Sequence, residues 1–461
     1  MIDPFELNAF DPSDPDPILG DASARAEAWA LGDISRVAPN LRPAKPPNPN
    51  DWRDPRVGWG LILAEPDGFS REELIDAVDA PAPIRELLAK RPDAPVLRYR
   101  PQFEPKHRFT MLRDWKNGTD VALDGSPVGV APGSLPQYLL IYGSPDQVPW
   151  DIQYDLNAWR HVGRLELEGE SLERYVRHLI DGWPDDGARA GEAVVWSVVA
   201  NDRITPLMRD TVALPVHRKL DADIQITSTL FDGGVAPATH GVLRRALADR
   251  RPAFVLTTSH GCTGPLGQPA AMARDLGLPV DQGHDVLDVD ELLGAWQPEG
   301  AIWYCHACCS AGSSADSDFD SLFDPAGRAG RILAGVAALG NQVAPLPRRL
   351  LGAKRPLRAF IGQVEPTFDW TLRRPGTRNN LTAPLETGLY DRLYQPDTVA
   401  RSLEPWYGRL ANLFSSRETQ IKKFDEGEGD ATLLLYLRLA AFDVRTTVIL
   451  GDPTTMLPPL P

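Results

Sequence analysis

Long apolar runs are missing from this 461-residue chain: no uninterrupted apolar stretch is long enough to cross a bilayer, so no membrane partner is expected. The opening Met1-Ile2-Asp3-Pro4-Phe5-Glu6 lacks the basic flank and apolar core of a secretory signal, which makes a cytoplasmic location the expectation. Positive charge is also scarce. Lys and Arg number 48 against 63 Asp and Glu, and the net charge of −15 argues against a broad nucleic-acid surface, so no nucleic-acid partner is expected. Cysteine occurs only four times, at 262, 305, 308 and 309. A disulfide scaffold would spread its cysteines more widely, so reduced thiols are expected. Internal repeats are absent too.

What is present fits a sizeable folded core: 43% hydrophobic and 24% charged residues are ordinary for a globular protein. The 44 prolines are unusual, and many fall in the first 150 residues. Residues 1–56, with Asp11-Pro12-Ser13-Asp14-Pro15-Asp16-Pro17 and Pro46-Pro47-Asn48-Pro49-Asn50, cannot hold regular ladders and read as a Pro/Asp-rich arm. Residues 57–130 read as a small α/β module, with strands at 57–64 and 96–100 and a helix over 72–89. A second block, 131–190, opens on the apolar strand 137–143 and ends in an amphipathic helix over 171–183 with Ser171 as its N-cap. The third block, 191–453, alternates strands (193–200, 253–259, 301–307, 357–364, 446–450) with helices (206–214, 240–249, 289–296, 326–340, 430–444). Such alternation predicts an α/β fold with a mostly parallel sheet and helices on both faces. The acidic run 425–430 is expected as a solvated loop.

Two stretches of the third block carry the candidate chemistry. Phe254-Val255-Leu256-Thr257-Thr258-Ser259-His260-Gly261 and Ala301-Ile302-Trp303-Tyr304-Cys305-His306-Ala307-Cys308-Cys309-Ser310-Ala311-Gly312 are apolar runs of strand length, each ending in a reactive side chain followed by small residues. Ligands bind at the carboxyl edge of such sheets. A thiol attacks as the thiolate, and it needs a base to take its proton and return it to a leaving amine; an imidazole suits both tasks. His260 and Cys308 are therefore the candidate catalytic pair. The amides of Gly261 and Cys308 are candidate oxyanion donors. Cys309 competes with Cys308, and strand alternation allows only one of them to face His260. Cys262, two residues past His260, is expected to line the same cleft.

An apolar run ending in His-Gly paired with one ending in Ala-Cys resembles the caspase-like clan of cysteine peptidases. Ala307-Cys308-Cys309-Ser310-Ala311-Gly312 is similar to the bacterial CHAT form, a likeness that puts the nucleophile at Cys308. Tyr138-Leu139-Leu140-Ile141-Tyr142-Gly143-Ser144-Pro145-Asp146-Gln147-Val148-Pro149, His161-Val162-Gly163-Arg164-Leu165 and Ile449-Leu450-Gly451-Asp452-Pro453 resemble gingipain-type segments, so the likeness spans about 137–453. It implies a caspase-like fold, a protein substrate, no cofactor, and control by an activating partner or upstream protease, as in bacterial defence or cell-death cascades. In the gingipain-like reading an Asp after Val148-Pro149 selects basic P1 side chains, and Asp155 is its nearest match here. Glu365 and Trp370 follow the strand after which caspase-like folds build substrate loops.

Other readings stay open beside this one. Asp155 could equally cap a turn. Cys305, His306 and Cys308 with His260 and Cys262 could be zinc ligands, although structural zinc sites usually draw ligands from knuckles and loops, and Cys305 is expected inside a strand. Asp316, Asp318 and Asp320 have the opening spacing of a calcium loop but lack its Gly and Glu, so an acidic loop bordering the cleft is the better expectation, with no metal. A degenerate clan member acting as a binding scaffold is the non-enzymatic alternative.

Overall fold

The computed structural model describes residues 5–6, 19–20, 46–91, 93–102, 110–184, 187–317, 319 and 322–460. The chain forms two compact units, Met1–Asn48 and Pro49–Pro461. In the first, Phe5–Glu6 pairs antiparallel with Leu19–Gly20. The Asp/Pro run 11–17 lies outside the described residues.

The second unit is built on one sheet of twelve strands. Numbered in chain order they are β1 (Trp59–Ala64), β2 (Val96–Tyr99), β3 (Met111–Asp114), β4 (Thr119–Ala122), β5 (Tyr138–Tyr142) and β6 (His161–Leu165). They continue with β7 (Arg189–Ser197), β8 (Thr227–Asp232), β9 (Pro252–Thr258), β10 (Ile302–His306), β11 (Ala359–Gln363) and β12 (Thr447–Gly451). Their spatial order is β8-β7-β9-β10-β11-β12-β6-β5-β1-β2-β3-β4. Only the β11/β12, β2/β3 and β3/β4 neighbours are antiparallel, so the sheet is mostly parallel, as the alternation predicts. The segments 57–130, 131–190 and 191–453 all contribute strands to this single sheet.

Buried strands explain the apolar runs. Val194, Trp196, Val255, Trp303, Cys305 and Phe360 face one core, where Leu243, Leu247, Leu292, Leu346 and Leu350 from helices cover them. The alternate residues Ala193, Val195, Phe254, Leu256, Ile302, Tyr304 and Ile361 face a second core under Val212, Leu389, Leu437, Ala440 and Val444. Helices therefore cover both faces, and a charged side chain could enter either core only with partners. Arg164 shows how: fully buried on β6, it donates to Gln153 Oε1, Gly143 O and Val148 O, which ties down the loop after β5.

The helices used below are α1 (Trp150–Asn157), α2 (Gly169–Ile180), α3 (Ile204–Met208), α4 (His240–Arg250), α5 (Asp369–Leu372), α6 (Arg409–Asp425) and α7 (Ala431–Thr446). Several boundaries differ from expectation. The helix expected over 72–89 is two, Arg71–Ile75 and Ala82–Ala89, because Ala77 takes a left-handed φ of 51° and Pro81 blocks continuation. The first is closed by a capping box between Ser70 and Glu73. Ser171 is not an N-cap: α2 starts two residues earlier, after Glu168. The expected helix at 206–214 is α3 followed by a π-helical turn, Arg209–Ala213, and a further helix, Leu214–Ala222. Asp430 caps α7 through Thr432 N and Leu433 N, so the end of the acidic run serves a helix while 426–428 are exposed.

Candidate active site

His260 and Cys308 are neighbours because of strand register. β9 and β10 pair in parallel, with Thr257 opposite Cys305 and Thr258 opposite His306. Each candidate residue stands two places beyond that last pair. Ser259 N still donates to His306 O, so the two chains leave the sheet together. A Cβ placed on Gly261 would lie 2.0 Å from Cys308 O and 3.0 Å from Cys308 N. Only glycine permits that approach, and the backbone beside the imidazole is packed on the backbone of the thiol.

The chain turns sharply at the thiol. Ser310 N donates to Ala307 O, which brackets Cys308 and Cys309 as the central residues of the turn. Cys309 takes a φ of 56°, a left-handed conformation uncommon for a side chain of this kind, held by its N–H on Glu365 O at 3.2 Å. Strain of this sort persists where the surroundings fix it, and it collects at functional sites. The Ser310 hydroxyl reaches Cys305 O at 3.0 Å and closes the turn from below. The Cys308 N–H has no partner in another residue among those described, as an oxyanion donor requires.

The two competing cysteines differ in access. Cys309 is sealed among Met272, Leu276 and Val336, and burial drives its thiol well above the ordinary value. Cys308 is partly buried. Its Sγ accepts from Thr367 N at 3.3 Å and lies 3.8 Å from Thr367 Oγ1. Burial pushes the Cys308 thiol up; the Thr367 N–H pulls it down, and the charge of Asp443 adds to the rise. Cys305 lies within β10, fully buried, with its thiol pushed up by burial to about 12. Among the described residues no group of three or more His, Cys, Asp or Glu is placed to hold a metal ion.

Asp202, which sequence reasoning missed, orients the imidazole. It lies in the loop between β7 and α3, and its Oδ2 is 2.9 Å from His260 Nε2. Its other oxygen accepts from Thr205 N and Thr205 Oγ1, so the carboxylate is itself fixed. Partial burial opposes its ionisation, but the Thr205 and His260 hydrogen bonds outweigh that and hold its carboxyl below the usual range. With Nε2 on Asp202, Nδ1 is the nitrogen left for the thiol. A polar residue in a loop 58 positions upstream (260 − 202) carries no periodicity signal; only the adjacency of β7 and β9 brings it in.

The remaining candidates are distributed unevenly. Cys262 is half-buried one residue past Gly261, its Sγ 3.5 Å from Gly264 O. Glu365 is buried against the Cys308–Cys309 turn, and Ser317 Oγ donates to its carboxylate at 3.0 Å. Asp316 is exposed and lines a cavity of about 570 Å³ with Ser317, Phe319 and Leu333; Asp318 and Asp320 lie outside the described residues. Asp155, on α1, accepts from Arg445 at 3.1 Å, and Asp151 shares that guanidinium. It lines a separate pocket with Trp159, Tyr407 and Phe414, to which neither His260 nor Cys308 contributes. Beside the His260–Asp202 pair lies a cleft of about 490 Å³, lined by Asp202, Arg203, Leu207, Asp369, Trp370 and Arg374. Neither His260 nor Cys308 contributes to that cleft.

In comparisons with protein-family models, curated proteins and solved structures, nothing matches this chain.

Proposed function

We propose that the protein is a caspase-like cysteine endopeptidase. The observation that carries this reading is the pair of register-matched strand ends, with the Gly261 backbone against Cys308 and the His260 ring set by Asp202. In the reaction His260 takes the thiol proton, and the Cys308 sulfur attacks the scissile carbonyl. The oxyanion forms against the Cys308 amide, with the Gly261 amide as a second candidate donor. The imidazolium then gives its proton to the leaving amine as the C–N bond breaks. Water, deprotonated by His260, hydrolyses the thioester and restores the thiol. No cofactor enters this sequence.

The cleft that Asp202 lines, to which neither His260 nor Cys308 contributes, bears on substrate choice. Asp202 is engaged by His260 and Thr205, whereas the Arg203 and Arg374 side chains make no hydrogen bond or ion pair among the described residues. Asp155, the residue expected to select basic side chains, is held by Arg445 in another pocket. This favours an acidic over a basic residue near the scissile bond.

A second reading rests on one observation: the recorded contacts of Cys308 Sγ are with Thr367 rather than with His260, and its thiol is pushed up. A binding scaffold would show the same. Incubation with a mixture of denatured proteins, followed by mass spectrometry of new termini, separates the two. The peptidase reading expects new termini with the parent protein and none with Cys308→Ala. No new termini with either, from a folded parent at several pH values, supports the scaffold.

A further inference from the structure

From its last residue onward, β11 serves as a rail for the nucleophile turn. Gln363 O accepts from Ala311 N at 2.8 Å, and Gln363 N donates to Ser310 Oγ at 3.1 Å. Two residues on, Glu365 O accepts from Cys309 N at 3.2 Å. Two more bring Thr367, whose N–H donates to Cys308 Sγ at 3.3 Å. Alternate residues of 363–367 therefore meet the turn in reverse order, as antiparallel backbones do. The pattern changes at its end. Where a further carbonyl would take the Cys308 amide, the chain offers a donor, and that donor reaches the sulfur. The amide stays open while the sulfur is held.

Thr367 is fixed in place for this contact. It is buried, and the Phe368 ring beside it packs against Phe319 and Phe323, with centroids 5.0 and 5.2 Å away. Phe368 O in turn accepts from the Thr371 hydroxyl at 2.7 Å. The Thr367 hydroxyl and carbonyl oxygens each lie 3.8 Å from Cys308 Sγ, within reach of a sulfur. The hydroxyl has no other hydrogen-bond partner among the described residues. A thiol can thus point its proton at Thr367 O, and a thiolate can accept from the N–H and the hydroxyl together. The remaining surroundings disfavour charge on the sulfur. Met272, Leu276 and Val336 are apolar, while Glu365 under the turn and the buried Asp443 on α7 are acids. α5 brings Asp369, which lines the cleft, and His260 at the end of β9 is set by Asp202. The helices Pro269–Asp275 and Arg328–Ala337 bring Arg274 and Asp275, paired with each other, the exposed Arg328, and Arg331, which donates to Ala326 O.

We propose that Thr367 is a further catalytic residue: its N–H and hydroxyl hold the Cys308 sulfur and stabilise it as the thiolate. The S–H bond breaks, its proton passes to the His260 imidazole, and the electron pair left on sulfur accepts both Thr367 donors. Hydrogen bonds to the charged form favour that form, and here they offset the cost of a charge in a buried place. On attack the same pair forms the S–C bond and the carbonyl π pair moves to oxygen. The Thr367 contacts then weaken, and the open Cys308 amide receives the oxyanion. The inference rests on Cys308 as the nucleophile of the proposed peptidase, but its readouts need no cleavage.

Two measurements on the intact chain test it. The first is the rate of iodoacetamide alkylation of Cys308, read by peptide mass mapping. Thr367→Val keeps the N–H and removes the hydroxyl, and it is expected to slow alkylation at pH 7 by about twofold or more, because less of the thiol is ionised. Thr367→Ser is expected to return to the parental rate. The second is the Thr367 amide resonance in protein carrying isotope-labelled threonine, assigned by its loss in Thr367→Ser and followed by NMR across pH. It is expected to move with the midpoint of Cys308 alkylation in the parent and to stay in place in Cys308→Ala. Alkylation of Thr367→Val within twofold of the parent, a slowing that Thr367→Ser shares, or an amide that does not follow the thiol overturns the inference. Absence of substrate cleavage with both readouts as expected would count against the peptidase reading alone.

Discussion

At His260 one ring nitrogen, Nε2, is committed to Asp202. Replacing Asp202 by Asn keeps the shape and removes the carboxylate that fixes the ring. We expect kcat to fall by about 10- to 1,000-fold with KM little changed. Steady-state kinetics checks this; an unchanged kcat would leave Asp202 a purely structural residue. Cys308→Ala is expected to abolish cleavage while thermal unfolding stays close to that of the parent. His260 and Cys308 were legible because each closes an apolar run before small residues, a pattern that strand chemistry writes into the sequence. Asp202 and Asp443 were not, since a loop aspartate and one aspartate in a helix carry no mark of what the fold sets beside them. Ser171 misled for a related reason: its hydroxyl fits a cap, but the chain was already helical two residues before it.

Between elements, the site depends on how closely two turns approach. Gly261→Ala puts a methyl where Cys308 O stands, so the β9 and β10 ends must separate. A loss of about 1–3 kcal/mol in stability is expected, with a disproportionate loss of activity, because overpacking here displaces the site itself. Equilibrium denaturation together with kinetics measures both; wild-type values for each would contradict the packing described. The buried strands β9, β10 and β11 were readable as continuous apolar runs. The outer strands β3, β4 and β8 were not, because their exposed and half-exposed residues weaken the apolar signal. Helix α6 escaped notice as well: of its 17 residues only Leu410 and Leu413 are buried, too few to draw an apolar stripe. The position of β12 between β11 and β6 is a tertiary fact without a local signature.

For the molecule as a whole, Asp443 ties stability to pH. Its carboxyl is raised in the fold to about 6. Below the ordinary carboxylate range both folded and unfolded chains hold this proton, and its contribution is fully present. As pH rises through about 6 the folded chain must bury a charge, and that contribution is lost. Asp443→Asn is therefore expected to be more stable than the parent at pH 7.5, by at most about 3 kcal/mol, with the advantage shrinking towards pH 4. Denaturant titrations at the two pH values measure it, and an advantage that grows on acidification would contradict the sign. The sheet brings Asp202, His260 and Cys308 together from segments spread along the chain, at the carboxyl ends of β7, β9 and β10. The most direct test of that meeting is the reaction of the intact protein with a thiol-reactive peptide probe, followed by peptide mapping. The account predicts one adduct, on Cys308, formed at least about tenfold more slowly in His260→Ala. Labelling spread evenly over Cys262 and Cys308, at a rate that His260→Ala leaves unchanged, would contradict it.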